Sequence, residues 1–192
     1  MSGDKYKNFE ELNKSEERER DFDIEKKIRD SELAVIAIHG GRIEFGTDEI
    51  ARQIAGDNLS FYAFLGKKLI ENSTLHISSN NFDEPECLEL VKKCESVISI
   101  HGEKTKDEEF IMIGGLDKKL GEKIGRIIAG SGFFLKEPPE NLKGENPANV
   151  CNLGTSGAGV QLELSKKLRD ELLSNEKLMG KFTSLIKQAM AK

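Results

Sequence analysis

The chain has 192 residues, of which 37% are hydrophobic and 33% charged, with three His and no Trp. That length buries one substantial core and asks for no second domain. The net charge of −5 argues against binding nucleic acid, because backbone affinity depends on clustered Lys and Arg. No apolar run reaches the length of a bilayer-spanning helix, and Met1-Ser2-Gly3-Asp4-Lys5-Tyr6 has no signal-peptide core. A protein of the producer's cytoplasm, without a membrane partner, is expected.

Residues 1–32 are dominated by charge, as in Lys14-Ser15-Glu16-Glu17-Arg18-Glu19-Arg20, and read as an exposed lead-in to one domain over residues 33–192. From Leu33 onward, short apolar runs alternate with amphipathic segments, the pattern of βα units around a sheet. The expected class is α/β: a single domain with an open, mixed, mostly parallel sheet of about seven strands flanked by helices. Strands are expected at residues 33–39, 60–65, 73–78, 96–101, 109–113, 132–136 and 159–164. Helices are expected at 47–55, 84–94, 117–129, 166–174 and 176–191, with Thr47 capping the first and Asp48 and Glu49 favouring its positive end. The stretch 138–147 holds three of the four prolines and reads as a long connection of the kind that borders sites. Cys87, Cys94 and Cys151 are odd in number and lack CxxC spacing, so neither disulfides nor a thiolate zinc site is expected. The first two read as core residues, and a catalytic thiol at Cys151 is the weaker reading.

The run Ala34-Val35-Ile36-Ala37-Ile38-His39-Gly40 returns as Ser96-Val97-Ile98-Ser99-Ile100-His101-Gly102. In α/β sheets the crevice outside the carboxyl ends of the strands holds the chemistry, so these two imidazoles are aimed at one cleft. Between His39 and Thr47 lies Gly40-Gly41-Arg42-Ile43-Glu44-Phe45-Gly46, whose glycines permit positive φ and a chain that folds back. His39, Glu44 and His101 together suit zinc, and three protein ligands leave a position for water, as catalytic sites require. Taken singly, each has a bland reading: a strand-end His as a polar cap, Glu44 as a loop carboxylate. His76 reads as substrate contact or metal support, with a core imidazole as the alternative. Glu163, in Gly159-Val160-Gln161-Leu162-Glu163-Leu164, is the expected general base, since a carboxylate in an apolar strand is costly unless paired or functional. The exposed face of an edge strand remains its alternative.

These motifs, His39-Gly40-Gly41-Arg42-Ile43-Glu44-Phe45-Gly46-Thr47, Ser99-Ile100-His101-Gly102 and Gly159-Val160-Gln161-Leu162-Glu163-Leu164, resemble the poly-γ-glutamate hydrolases of phages and bacteria. The resemblance runs from about Tyr6 to Arg169. It implies a fold similar to zinc carboxypeptidases, zinc on His39, Glu44 and His101, Glu163 as general base, and endo-type cleavage of an anionic polyglutamate. It also implies substrate contact near Asn152, where Leu153 stands in place of an expected basic residue.

Arg42, Arg52 and Arg169 are candidates for the polymer's carboxylates, against the commoner fate of Arg as a solvated surface charge. The same metal chemistry would serve an amidohydrolase or carboxypeptidase acting on small glutamyl or acyl-amino-acid substrates. A non-catalytic, phage-derived binding protein is the reading from another class. A phosphate-binding role for the Gly-rich loop is disfavoured by the missing P-loop Lys and GxGxxG pattern. A monomer, released from the producing cell on phage lysis, completes the expectation.

Overall fold

The computed structural model describes residues 3–191. Six strands form one mixed sheet: β1 (Phe22–Lys27), β2 (Leu33–Gly41), β3 (Ser60–Gly66), β4 (Ser96–Glu103), β5 (Ile111–Gly114) and β6 (Val160–Ser165). Their spatial order is β1-β3-β2-β4-β6-β5. The four central strands are parallel, while β1 and β5 close the two edges in antiparallel pairing with β3 and β6.

The central strands alternate between two packed layers. Val35, Ala37, Ile98, Ile100, Val160, Leu162 and Leu164 face a core shared with α2 (Thr47–Ala55), α5 (Lys166–Ser174) and α6 (Glu176–Met190), where Phe182 and Ile186 are fully buried. Ala34, Ile36, Tyr62, Phe64 and Val97 face the opposite core, with Leu12 of α1 (Phe9–Ser15), Cys87 and Leu90 of α3 (Pro85–Val91), and Leu75, Ile77 and Val150 from the connections. The remaining helix, α4 (Lys118–Ala129), buries Ile124 and Ile128 against the first core, with Asp117 accepting from the Leu120 N–H as its N-cap.

This topology fixes where the chemistry lies. The chain leaves β2 for β3 on one side and later returns to place β4 on the other, so the strand order reverses between β2 and β4. In open α/β sheets ligands bind in the crevice at that reversal. Regular pairing of β2 with β4 ends at Ile36 and Ser99, short of His39 and His101 at the strand ends. One further irregularity acts on β2 itself. Its register with β3 shifts by one residue between Ala37 and Gly40, and such a bulge re-aims the side chains beyond it. Strict alternation would send His39 into the helix layer after Val35 and Ala37, whereas the shifted strand turns it toward the connection holding Ile77.

Two of the seven expected strands are not strands. Residues 73–78 form a 3₁₀ turn, Asn72–Leu75, followed by extended chain outside the sheet. The alternating Leu75 and Ile77 are buried as expected of a strand, but their backbone hydrogen bonds do not join a ladder. Residues 132–136 contribute an isolated bridge, Ile111 to Leu135. In exchange, the supposed lead-in supplies a helix and an edge strand. Phe22 is fully buried, stacked on Phe64 at 5.0 Å and edge-on to Phe9 at 5.9 Å. Of the charges that suggest a solvated segment, Lys14, Glu17, Arg18, Glu19 and Arg20 are exposed, but Glu16 is buried and accepts from Tyr6 and Lys68. Phe22→Ala is therefore expected to cost about 3–5 kcal/mol in denaturant unfolding. A solvated lead-in would give a change of about 0.5 kcal/mol or less.

Candidate active site

The loop that carries Glu44 is built by backbone bonds. Glu44 N–H donates to the His39 carbonyl at 2.8 Å and Thr47 N–H to the Glu44 carbonyl at 3.2 Å, closing a compact turn at the end of β2. Gly41 makes the turn possible: its φ is +62°, and a Cβ there would lie 2.5 Å from the Gly66 carbonyl oxygen. Helix α2 begins at Thr47 as expected, but its cap is Gly46. The Thr47 hydroxyl donates to the Glu44 carbonyl at 2.9 Å, so it braces the loop rather than the helix.

Three electron-pair donors converge at this loop. His39 Nδ1 lies 3.1 Å from Glu44 Oε1 and 3.3 Å from His101 Nδ1, and His101 Nδ1 lies 3.7 Å from Glu44 Oε2. The three ligand atoms fall within 4.8 Å of one another. Zinc–ligand bonds of about 2.0–2.1 Å in a tetrahedron require ligand atoms about 3.3 Å apart, so the donor set fits that ion. The far nitrogen of each ring is already engaged. His39 Nε2 donates to the Ile77 carbonyl at 2.8 Å, and His101 Nε2 meets the Ser99 hydroxyl at 2.9 Å. Partners on the outer nitrogen hold a metal-ligating His in orientation and leave the inner nitrogen to the metal.

Glu163 stands beside His101 as its register partner across the β4–β6 ladder. Strand β6 is interior, between β4 and β5, and the reading of Glu163 as an exposed edge carboxylate does not apply. Its Oε1 accepts from Gln161 Nε2 at 2.9 Å, and Gln161 Oε1 accepts from Asn149 Nδ2 at 2.9 Å. Burial, reinforced by the nearby Glu44 charge, pushes the Glu163 carboxyl up to about 8. Glu44 moves the other way: against the cost of burial, His39 and the Gly102 N–H at 2.8 Å hold it down at about 2. Burial opposes a charge on His39, yet Glu44 holds its pKa above the ordinary value, while burial drops His101 to about 3.

The other expected contacts divide. His76 joins the site: its ring stacks on His39 with centroids 4.0 Å apart and planes at 28°, and its Nε2 lies 4.0 Å from Glu44 Oε1. Burial and the neighbouring His39 hold its pKa below the ordinary value. Arg42 is exposed beside the loop and donates to the Lys68 carbonyl at 3.1 Å. Arg52 is engaged elsewhere, paired with Glu25 and Glu49 and lying over the Phe61 ring at 5.3 Å. Asn152 is buried, and its amide is fully used. Its Oδ1 accepts from the Leu116 and Gly159 N–H groups, and its Nδ2 donates to the Gly144 and Asn146 carbonyls, so it anchors the 138–147 connection instead of a ligand.

Arg169 is also buried. Its guanidinium donates to the carbonyls of Phe45, Glu103 and Leu164, joining the metal loop to the ends of β4 and β6. A Cβ on Gly102 would come within 2.5 Å of its Cζ. A large side chain at position 102 has no room. Nothing in the sequence motifs marks Gln161 and Asn149 as site residues, and Ser99 is marked only by its position. Ser99 was readable, since it precedes His101 by two on the same strand face.

The sequence pattern of the poly-gamma-glutamate hydrolase family matches residues 6–191 of this chain. The chain belongs to that family. It is similar to the SPbeta prophage-derived protein YoqZ of Bacillus subtilis strain 168, with 37% identity over 94% of this chain and 66% of YoqZ. It therefore spans about two thirds of that relative's length. YndL of the same organism is 38% identical over 88% of this chain and 67% of its own length. A zinc-free structure of YndL superposes with a TM-score of 0.90 at 34% identity, covering 97% of each chain. The structure of a bacteriophage poly-gamma-glutamate hydrolase superposes at 0.91 with 28% identity, covering 97% of this chain and 96% of that one.

The opposed shifts give signs that can be checked in metal-free protein. Glu163, raised from 4.5 to about 8, favours the fold while protonated, and this contribution fades as pH rises from 4.5 through 8. Glu44, lowered from 4.5 to about 2, contributes above 4.5 and is lost as pH falls toward 2. A divalent cation at this site displaces the proton of Glu163, because a positive charge favours the carboxylate. Zinc binding at pH 7 is expected to release protons, measured by calorimetry in buffers of different ionisation heat, and Glu163→Gln is expected to release fewer. Equal release from both proteins would contradict the protonated Glu163.

Proposed function

We propose that the chain is a zinc-dependent hydrolase that cuts internal γ-glutamyl amide bonds of poly-γ-glutamate. The observation that carries this reading is the adjacency of a buried carboxyl, Glu163, to three convergent metal-ligating atoms on one sheet face. Membership of the family supports the substrate, and the zinc-free form of YndL supports the metal. When bound, zinc lowers the pKa of water to about 7 and polarises a carbonyl. His39, Glu44 and His101 would hold it, each oriented by a partner outside the cluster.

Glu163 takes the proton from the attacking water and delivers it to the leaving nitrogen as the C–N bond breaks, so the amide yields one carboxylate and one amine. Gln161 and Asn149 keep that carboxyl turned toward the cleft. The departing amine is far more basic than a carboxylate, so the proton that Glu163 has taken up passes to it readily. The 138–147 connection folds over Gln161, with Leu142 accepting from its amide at 3.4 Å, and shields this relay from bulk water. Arg42, exposed beside the metal loop, is the arginine suited to the polymer's α-carboxylates. In this reading the protein works as a monomer, made in the cytoplasm and released on lysis.

The test is incubation of purified protein with poly-γ-glutamate, with and without a chelator, following viscosity and released monomer. Early loss of viscosity without monomer, abolished by the chelator, is the expected result. His101→Ala is expected to lose both zinc and turnover, and Glu163→Ala to keep zinc while losing about 10²–10⁴-fold in rate. Cleavage that survives chelation would overturn the metal mechanism, and early monomer release would overturn internal cutting.

A further inference from the structure

One contact reaches the site from a segment that the hydrolase reading leaves unused. Asp4 Oδ1 lies 2.6 Å from His76 Nδ1, and Asp4 Oδ2 accepts the Ser78 N–H at 2.7 Å. An ionised carboxylate can only accept, so Nδ1 of His76 carries a proton. On a neutral ring this leaves Nε2 with a bare lone pair. That nitrogen is on the side of the metal cluster, 4.0 Å from Glu44 Oε1.

His76 is nevertheless unsuited to be a further ligand. Its ring is stacked on His39 at 28°, and near-parallel rings send their in-plane lone pairs side by side instead of toward one point. It also differs from the ligands in access: its side chain is 35% exposed, against 2% for His39 and 3% for His101. A fixed, solvent-facing acceptor beside a buried metal cluster is placed to meet whatever the cluster binds.

We propose that Asp4 is a positioning residue of the active site, holding His76 in the tautomer whose Nε2 accepts a hydrogen bond from an amide N–H of the polymer bound there. The proposal rests on the hydrolase reading above. Each γ-glutamyl repeat offers one amide N–H and one carboxylate. A bare nitrogen lone pair rewards the N–H and gives nothing to the carboxylate, so His76 sets which part of a repeat lies over the metal loop. The segment that carries Asp4 is itself secured. Tyr6, two residues on, is buried and donates its hydroxyl to Glu16 at 2.5 Å, and Glu16 in turn accepts from Lys68 at 2.8 Å.

The test combines a measurement that needs no substrate with one that does. Nitrogen-15 NMR of the chelated protein at pH 8 is expected to find His76 protonated at Nδ1 in the wild type and shifted toward the Nε2-protonated form in Asp4→Ala. In the zinc-loaded protein, Asp4→Ala is expected to raise KM for poly-γ-glutamate about tenfold, the loss of about one hydrogen bond, with zinc content unchanged. Because Asp4 acts through His76, His76→Ala and the double variant should lose the same amount and no more. Asp4→Asn, whose oxygen can still accept from Nδ1, should recover part of it. An Nε2-protonated His76 in the wild type, an unchanged tautomer in Asp4→Ala, or additive losses would overturn the proposal. A tautomer that shifts as expected in a protein that cuts no polymer supports the Asp4 anchor and fails the substrate reading alone.

Discussion

Two imidazole nitrogens facing each other at 3.3 Å beside a carboxylate oxygen at 3.1 Å are the constraint on which the rest of the site depends. With the outer nitrogens engaged by the Ile77 carbonyl and the Ser99 hydroxyl, the inner atoms face one another and are reconciled by a shared proton or by a metal cation among them. The fold enforces this meeting from several directions. The reversal of strand order brings the ends of β2 and β4 together, the bulge in β2 turns His39 out of the helix layer, and Gly41 lets the loop return Glu44 to the strand it has just left.

The charge balance extends beyond the cluster. Glu44 and Glu163 are two carboxyls in one largely dry site, and their environments push them apart, to about 2 and about 8. Such a split separates the roles open to chemically similar groups: an ionised Glu44 suits a cation, and a protonated Glu163 suits proton transfer. Arg169 supplies a buried cation to the same neighbourhood, and its three carbonyl partners tie the metal loop to β4 and β6. Its charge is favourable to the two acids, Glu44 and Glu163, that share the site. That work is structural, and it explains why an arginine expected to meet substrate is turned inward.

Much of the site was legible in the sequence because its parts are local. The duplicated strands ending in His-Gly, and the glycine loop that carries Glu44, announce two strand ends and a turn without any knowledge of packing. Glu163 stood out because an acid among Val160, Leu162 and Leu164 is costly. What could not be read depends on partners distant in the chain. Leu75 and Ile77 alternate like strand residues, and nothing local distinguishes burial in a sheet from burial in a connection. Phe22 and Ile24 form an edge strand whose charged neighbours imitate a solvated segment. Arg42, Arg52 and Arg169 are alike in sequence, yet one is exposed, one pairs with acids on α2 and β1, and one is buried. Asp4 and His76 are 72 residues apart, beyond any motif.

His39, Glu44 and His101 are proposed to form one cation site through their inner atoms. Diffraction from zinc-loaded crystals on either side of the zinc absorption edge tests it most directly. A single strong anomalous peak bonded to Nδ1 of His39, Nδ1 of His101 and the Glu44 carboxylate, with no sulfur ligand, is the expected result. A peak bonded through an Nε2 atom of His39 or His101, or one away from these three residues, would contradict it.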